Sequence, residues 1–305
     1  MRLGFSIPQV GNVGGPAATR AVCERAEALG YDSLWVLDRL LRPVAAKTPY
    51  PVAADGQLPE AAKRVLDPIG LLTFAAACTK RARLGTSVLN LPYYNPVLLA
   101  RALTTVDVLS EGRLSVGFGT GWSQDEYDAV GVDMKTRGAR ANEALDLLEK
   151  YWTEDAPEHH GQFYTLPKCH VARPVQRPRP RVYLAAFVPA TLKRVAERAD
   201  GWNPAGLPLP VMKDMWGAIR GMAAAAGRDP ETLELVVRAN LDLRPGPVGG
   251  ERPPFVGSAA QIRDDIQATR EMGAHELAFD GHFSTGVKTT GDHVALLEQL
   301  RELAG

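Results

Sequence analysis

Two spacings of apolar positions alternate along the chain. Short, dense apolar runs read as strands: Arg2–Pro8, Ser33–Leu37, Arg83–Leu89 and Arg113–Phe118 in the first half. Longer stretches with apolar residues three and four apart read as helices: Pro16–Gly30, Asp67–Lys80, Asn95–Ser110 and Arg137–Trp152. In the last of these, Leu145, Leu148 and Trp152 share a face. Punctuation supports the boundaries. Asn95-Pro96 has the form of an N-cap followed by a first helical residue, and Gly30 and Gly112 stand at helix ends. The second half keeps the rhythm, with strands at Arg181–Leu184, Gly201–Asn203, Leu233–Leu243 and His275–Phe279. Its helices are Pro189–Arg198, Pro210–Ala226, Ser258–Met272 and Asp292–Leu303.

Eight strands alternating with helices over about 300 residues predict a single α/β domain, a (β/α)8 TIM barrel. A doubly wound sheet is the structural alternative. No internal repeat and no linker divides the chain. In such a barrel the loops that follow strands form the catalytic face. Four of them are long: Asp38–Leu66, Gly119–Thr136, Arg244–Gly257 and Asp280–Gly291. The irregular stretch Glu154–Pro180 precedes a strand, so its His159-His160 and Cys169-His170 pairs read as surface decoration.

Composition narrows the function. Hydrophobic residues make up 45%, enough for a large core, and 35 basic residues balance 35 acidic ones. A neutral chain offers no field for nucleic acid or an anionic membrane. No apolar run approaches the ~18 residues of a membrane helix, and the N-terminal run is too short for a signal peptide. Three separated cysteines argue against a disulfide framework, so a cytoplasmic location is expected.

Several chemistries lack their residues. No strand ends in a lysine for Schiff-base chemistry, no His/Asp/Glu cluster has metal-ligand spacing, and no Gly-x-Ser-x-Gly occurs. Gly117-Phe118-Gly119-Thr120-Gly121 does not complete a dinucleotide fingerprint. A ring of polar residues stands instead at the strand ends: Gln9, Asp38, Asn90, Thr120, Asn203, Asn240 and Asp280. Converging on one mouth, they describe a pocket for a heteroaromatic ligand, although each alone also suits a structural hydrogen bond. Arg39, Arg42, Lys47, Lys63 and Arg64 in the loop after the second strand are either solvated or positioned to meet an anionic cofactor tail.

A run of motifs then becomes specific. Ser33-Leu34-Trp35-Val36-Leu37-Asp38, Leu84-Gly85-Thr86-Ser87-Val88-Leu89, Asn95-Pro96 and Leu109-Ser110-Glu111-Gly112-Arg113-Leu114 come in order. Gly117-Phe118-Gly119-Thr120-Gly121-Trp122, Glu126, Gly131, Arg137, Arg140, Glu143 and Ala199-Asp200-Gly201-Trp202 follow. Together they resemble the luciferase-like monooxygenase family over nearly the whole chain, and within it the branch that uses coenzyme F420. The resemblance implies a barrel that holds F420 or FMN at the C-terminal ends of its strands, as a cytoplasmic homodimer. It implies a cis peptide at Ser87–Val88 behind the cofactor ring, with Asp38 beside the ring. Thr120, Gly121 and Trp122 would follow the ring and ribityl chain. Ala185-Ala186-Phe187-Val188 would lead into a helix whose free N–H groups receive a phosphate. Glu126, Arg137, Arg140 and Glu143 read as structural ion pairs.

Two positions depart from the sugar-phosphate dehydrogenases of that branch. Arg39 stands where they have a histidine base, and Trp122 where they have an acid. An arginine does not act as a base at neutral pH. The expectation is therefore hydride transfer with F420 to or from a less polar small molecule. Trp122, Phe187, Tyr93, Tyr94 and Phe283 are candidates to line its pocket. His282, Asn90, Asn203 and Asp280 are candidate substrate or proton-relay groups, with His282 and Asn90 foremost. An FMN-dependent monooxygenase and a non-catalytic cofactor-binding barrel are the alternatives.

Overall fold

In the computed structural model, which describes residues 1–53 and 55–305, eight parallel strands close on themselves. They are β1 (Arg2–Ser6), β2 (Ser33–Val36), β3 (Arg83–Thr86), β4 (Leu114–Gly119), β5 (Arg181–Leu184), β6 (Gly201–Trp202), β7 (Glu234–Asn240) and β8 (Glu276–Asp280). Each pairs in parallel with the next, and β8 returns to β1, with Phe5 beside Phe279. The closed barrel is therefore the architecture, and the open doubly wound sheet is not.

Around it run α1 (Pro16–Ala28), α2 (Pro68–Cys78), α3 (Pro96–Leu109), α4 (Gln124–Ala129), α5 (Arg137–Thr153), α6 (Pro189–Arg198), α7 (Leu209–Ala225), α8 (Ala259–Glu271) and α9 (Thr290–Ala304). Their starts follow the local chemistry. Asn95 Oδ1 accepts from Val97 and Leu98 N–H ahead of Pro96, and Ser258 and Gln261 close a capping box on α8. The main core lies between strands and helices. A smaller cluster of Trp35, Tyr183, Val236 and Ala278 fills the barrel itself.

Below that cluster the N-terminal end is plugged by charge. Glu276, its side chain 1% exposed, accepts from Ser33 Oγ, Trp35 Nε1, Arg2 and Arg83. Tyr183 donates to Glu234, which also binds Arg2. Sealing this end leaves the opposite mouth as the place for a ligand. Among the described residues, no helix is long and apolar enough to cross a membrane.

Two strands are shorter than their apolar runs predict. The run Arg83–Leu89 breaks at Thr86, whose hydroxyl replaces the ladder by donating to Gly117 O and accepting from Gly117 N–H, both at 2.9 Å. Leu89–Asn90 then pairs again with Phe118 and Gly119. The run Leu233–Leu243 leaves the barrel after Asn240, and Asp242–Leu243 turns out to pair with Val256–Gly257. The His159-His160 pair forms a small antiparallel hairpin with Thr165-Leu166, and the His159 ring lies 3.4 Å from Glu143.

Candidate active site

The break after β3 builds the floor of the mouth. The Ser87–Val88 peptide is cis. Its surroundings hold it from three sides. Ser87 N–H donates to Val36 O at 2.7 Å, Ser87 Oγ to Asn203 Oδ1 at 2.7 Å, and Arg238 Nη1 donates to the Ser87 carbonyl at 2.6 Å. Asn203 is fixed in turn by donating to Val236 O at 2.7 Å. The result is a flat, immobile stretch of backbone facing a cavity of about 180 Å³.

Ser87, Val88, Asn90, Asp38, Arg39, Trp122, Ala185 and Phe187 all line this cavity, so most of the residues singled out in the sequence converge there. Asn203 and Phe283 join them. Tyr50 and Leu58 descend from the long loop after β2, and Arg238 rises from β7. Asn90 lines the cavity, and its backbone N–H donates to Asp38 Oδ2 at 2.9 Å. Burial pushes the Asp38 carboxyl up to about 6, against the Asn90 N–H and the Tyr94 hydroxyl, which favour its charged form.

Trp122 and Tyr50 lie with ring centres 5.4 Å apart and planes tilted by 39°, and the Arg39 guanidinium lies 4.7 Å over the Trp122 ring. Arg39 is held there by Glu126 at 2.7 Å, a pair whose side chains are 11% and 1% exposed. Glu126 also accepts from Leu40 N–H and the Tyr93 hydroxyl. Arg39 is thus neutralised and packed as part of the wall.

Other candidates lie elsewhere. His282 is sealed beneath the mouth. Its Nε2 is 2.7 Å from Ile7 O and its Nδ1 2.6 Å from Asp280, with the side chain 1% exposed. Asp280 is held far below the usual carboxylate range. Burial opposes its charge, but Arg238 and His282 outweigh that. The three residues form one buried network under the floor, which shapes the site from behind. Gln9 spends its amide on Leu37 and Leu66, a structural clamp. Ala186 is buried behind the wall, its carbonyl accepting from Trp202 Nε1.

Thr120 lies beside Ala185 in a separate small space, and its carbonyl accepts from Tyr127. Gly121 sits at φ +67, and a Cβ there would meet the Tyr93 hydroxyl, so packing and backbone conformation require this glycine. Tyr93 and Tyr94 face a second cavity of about 240 Å³ on the far side of Asp38 and Arg39.

Two expectations need correction, and a third is narrowed. The amides before α6 are engaged, because Phe187 and Val188 N–H both donate to Thr191 Oγ1 at 3.2 Å. Thr191, at the third position of the helix, turns back over Pro189, which has no N–H to offer. The basic residues after β2 meet acids: Arg42 and Lys63 bind Glu60, and Lys47 binds Asp128. Of the four family charges, Glu126 alone makes an Arg–Glu pair among the described residues. Arg137 donates to Met134 O, Arg140 stacks on Phe163, and Glu143 accepts from Phe163 and Tyr164 N–H.

Arg238, Tyr50 and Leu58 were missed from sequence. Arg238 had a readable signal, a lone charge inside the strand Leu235-Val236-Val237-Arg238-Ala239. Tyr50 and Leu58 had none, since the loop that carries them has no period. A larger groove of about 320 Å³ opens between α5 and α6, lined by Trp152, Arg179, Arg198 and Arg228. Arg179 and Arg198 are paired with acids and Arg228 with the Ala196 and Ala199 carbonyls, so its arginines are already engaged.

Comparison with known proteins places this geometry. The luciferase-like monooxygenase family profile matches residues 1–248. An uncharacterized protein of Mycobacterium tuberculosis is 34% identical over 269 residues, covering 85% of this chain and 93% of its own. An F420-dependent glucose-6-phosphate dehydrogenase of Amycolatopsis mediterranei is 31% identical over 236 residues, covering 74% of this chain and 65% of its own. Among solved structures, monooxygenase RslO1 from Streptomyces bottropensis superposes with a TM-score of 0.80 at 22% identity, covering 99% of this chain and 98% of its own. An F420-dependent secondary alcohol dehydrogenase superposes at 0.78 and 15% identity over the full length of both. These two structures share the fold. The chain belongs to the luciferase-like monooxygenase family of flavin- and deazaflavin-type oxidoreductases.

Proposed function

We propose that the protein is an F420-dependent oxidoreductase that transfers hydride to or from a small, weakly polar organic molecule. The observation that carries this reading is the floor of the mouth. Ser87–Val88 offers a flat backbone surface, Ala185 leaves room beside it, and Asn90 and Arg238 supply hydrogen-bonding groups around it. The Arg238 Nε is a buried donor without a partner among the described residues. This set suits a planar ring with carbonyl and ring-nitrogen atoms on its edge. Relatives near 30% identity that use F420 support the deazaflavin over FMN.

Asp38, Ser87, Val88, Asn90 and Ala185 would hold the ring. F420 when bound supplies a two-electron hydride carrier. The protein supplies placement and exclusion of water. Trp122, Tyr50, Phe187, Phe283, Leu37 and Leu58 make the substrate side apolar, and Arg39, locked to Glu126, brings no base.

Titration of the purified protein with F420 and with FMN, read by fluorescence, tests the proposal. Micromolar binding of F420 without response to FMN is expected. Ala185→Trp, which fills the cavity from its wall, should weaken that binding at least tenfold while leaving the circular dichroism spectrum unchanged. FMN binding without F420 binding would replace the proposal by a flavin monooxygenase. Undiminished F420 affinity in Ala185→Trp would move the ring elsewhere.

A further inference from the structure

We propose that Asp38 is the proton-transfer residue of this site, exchanging a proton between a hydroxyl- or carbonyl-bearing substrate in the mouth and water in the side cavity. The inference rests on the hydride-transfer reading above and adds to it the missing acid–base group.

Asp38 borders both the mouth cavity and the side cavity of about 240 Å³. It stands in the partition between them. A bound ring and substrate would close the mouth to water, but the side cavity opens behind the carboxyl, between Leu66, Asp67, Tyr94 and Val130.

Around the mouth, Glu126 is bound by Arg39, Leu40 N–H and Tyr93. Asp280 is bound by Arg238 and His282, and His282 lies under the floor. Arg39 and Arg238 do not give up protons. Asp38 borders the cavity and makes no ion pair among the described residues; its partners are the Asn90 N–H and the Tyr94 hydroxyl.

The groups that face Asp38 are Arg39 beside it, Glu126 from α4, the Tyr94 hydroxyl from the segment before α3, and the Asn90 N–H. Asp67, at the start of α2, acts on Tyr94. Burial dominates, and a carboxyl near 6 holds or releases a proton readily at neutral pH.

The step balances as follows. The substrate O–H bond breaks and its proton forms an O–H bond on Asp38. The electron pair left behind would become the second C–O bond of the carbonyl, and the carbon's hydride would go to the two-electron acceptor that oxidised F420 would supply. Asp38 then gives its proton to water in the side cavity. The reverse reaction runs the same transfers backwards.

Infrared titration of the protein without cofactor tests the carboxyl directly. A protonated-carboxyl absorption with a midpoint near 6 is expected, absent in Asp38→Asn. Tyr94→Phe, which removes a donor to the charged form, should move that midpoint upward. In the loaded enzyme at saturating F420, Asp38→Asn should lower turnover about 10²–10⁴-fold and abolish the acidic limb of the pH profile. Val130→Phe, which fills the side cavity, should delay proton release to an indicator dye relative to cofactor reduction. An unchanged absorption or an unchanged pH limb in Asp38→Asn overturns the assignment, and no delay in Val130→Phe overturns the route. Failure of the wild type to bind F420 defeats the hydride-transfer reading instead, a separate result.

Discussion

Trp35 occupies the barrel interior because two of its neighbours have no side chain. A Cβ on Gly4 would lie 2.6 Å from Trp35 Nε1, and one on Gly85 would overlap the indole ring itself. The indole is 4% exposed and forms the layer directly beneath the floor of the site. Gly85→Ala therefore forces Trp35 out of place, and such overpacking costs about 1–3 kcal/mol. Urea denaturation should show that loss, and F420 affinity should fall with it. Equal stability for Gly85→Ala and wild type would mean the indole has room to move. At this scale the sequence is only partly readable. Asp38 and Asn90 could be found because strand ends point at one mouth, and Ser87 through the family resemblance. His282 could not be placed, because whether a side chain rises into the mouth or folds beneath it depends on Asp280 and Ile7, 275 residues away in the latter case.

The elements were readable where their chemistry is local. Helix starts at Asn95 and Ser258 follow from caps within three residues, and the strand order follows from the alternation itself. The loop after β2 is different, since its shape is decided by α4, about eighty residues on. Glu126 draws in Arg39 and Leu40, Asp125 accepts from Lys47 N–H, Asp128 binds the Lys47 ammonium, and Gln124 N–H donates to Thr48. These contacts press Tyr50 onto Trp122 and so form the roof of the cavity. The exposed Lys47 pair contributes little by itself, but Arg39–Glu126 is buried, and breaking a buried pair costs about 3–5 kcal/mol. Glu126→Gln keeps the shape and removes the charge. It should lower stability by about 3 kcal/mol and speed tryptic cleavage after Lys47. Unaltered cleavage would show that the loop holds its place without the pair.

Across the whole molecule, two buried groups pull the acid stability in opposite directions. Burial, reinforced by His282, lowers His293 to about 4, so the folded chain keeps it neutral where the unfolded chain protonates it near 6.5. The unfolded state then binds more protons, and stability falls as pH drops below 6.5. His275 acts in the same direction. Asp38 does the reverse, because its folded carboxyl takes a proton at about 6 while the unfolded one waits until 3.8. Between pH 7 and 5, His293 removes about 2 kcal/mol and Asp38 returns about 1 kcal/mol. The lowered Asp280 carboxyl acts only below 3.8, outside this interval. Asp38→Asn deletes the compensating term without touching the histidines. Its stability should therefore fall more steeply than that of the wild type from pH 7 to 5, by about 1 kcal/mol in urea denaturation. At pH 7 the substitution also relieves the cost of a buried charge, so the two curves should converge toward acid pH from a more stable variant. Parallel curves would mean that Asp38 ionises in the folded protein as it does in water, and the partition between the two cavities would then be wetter than its packing implies.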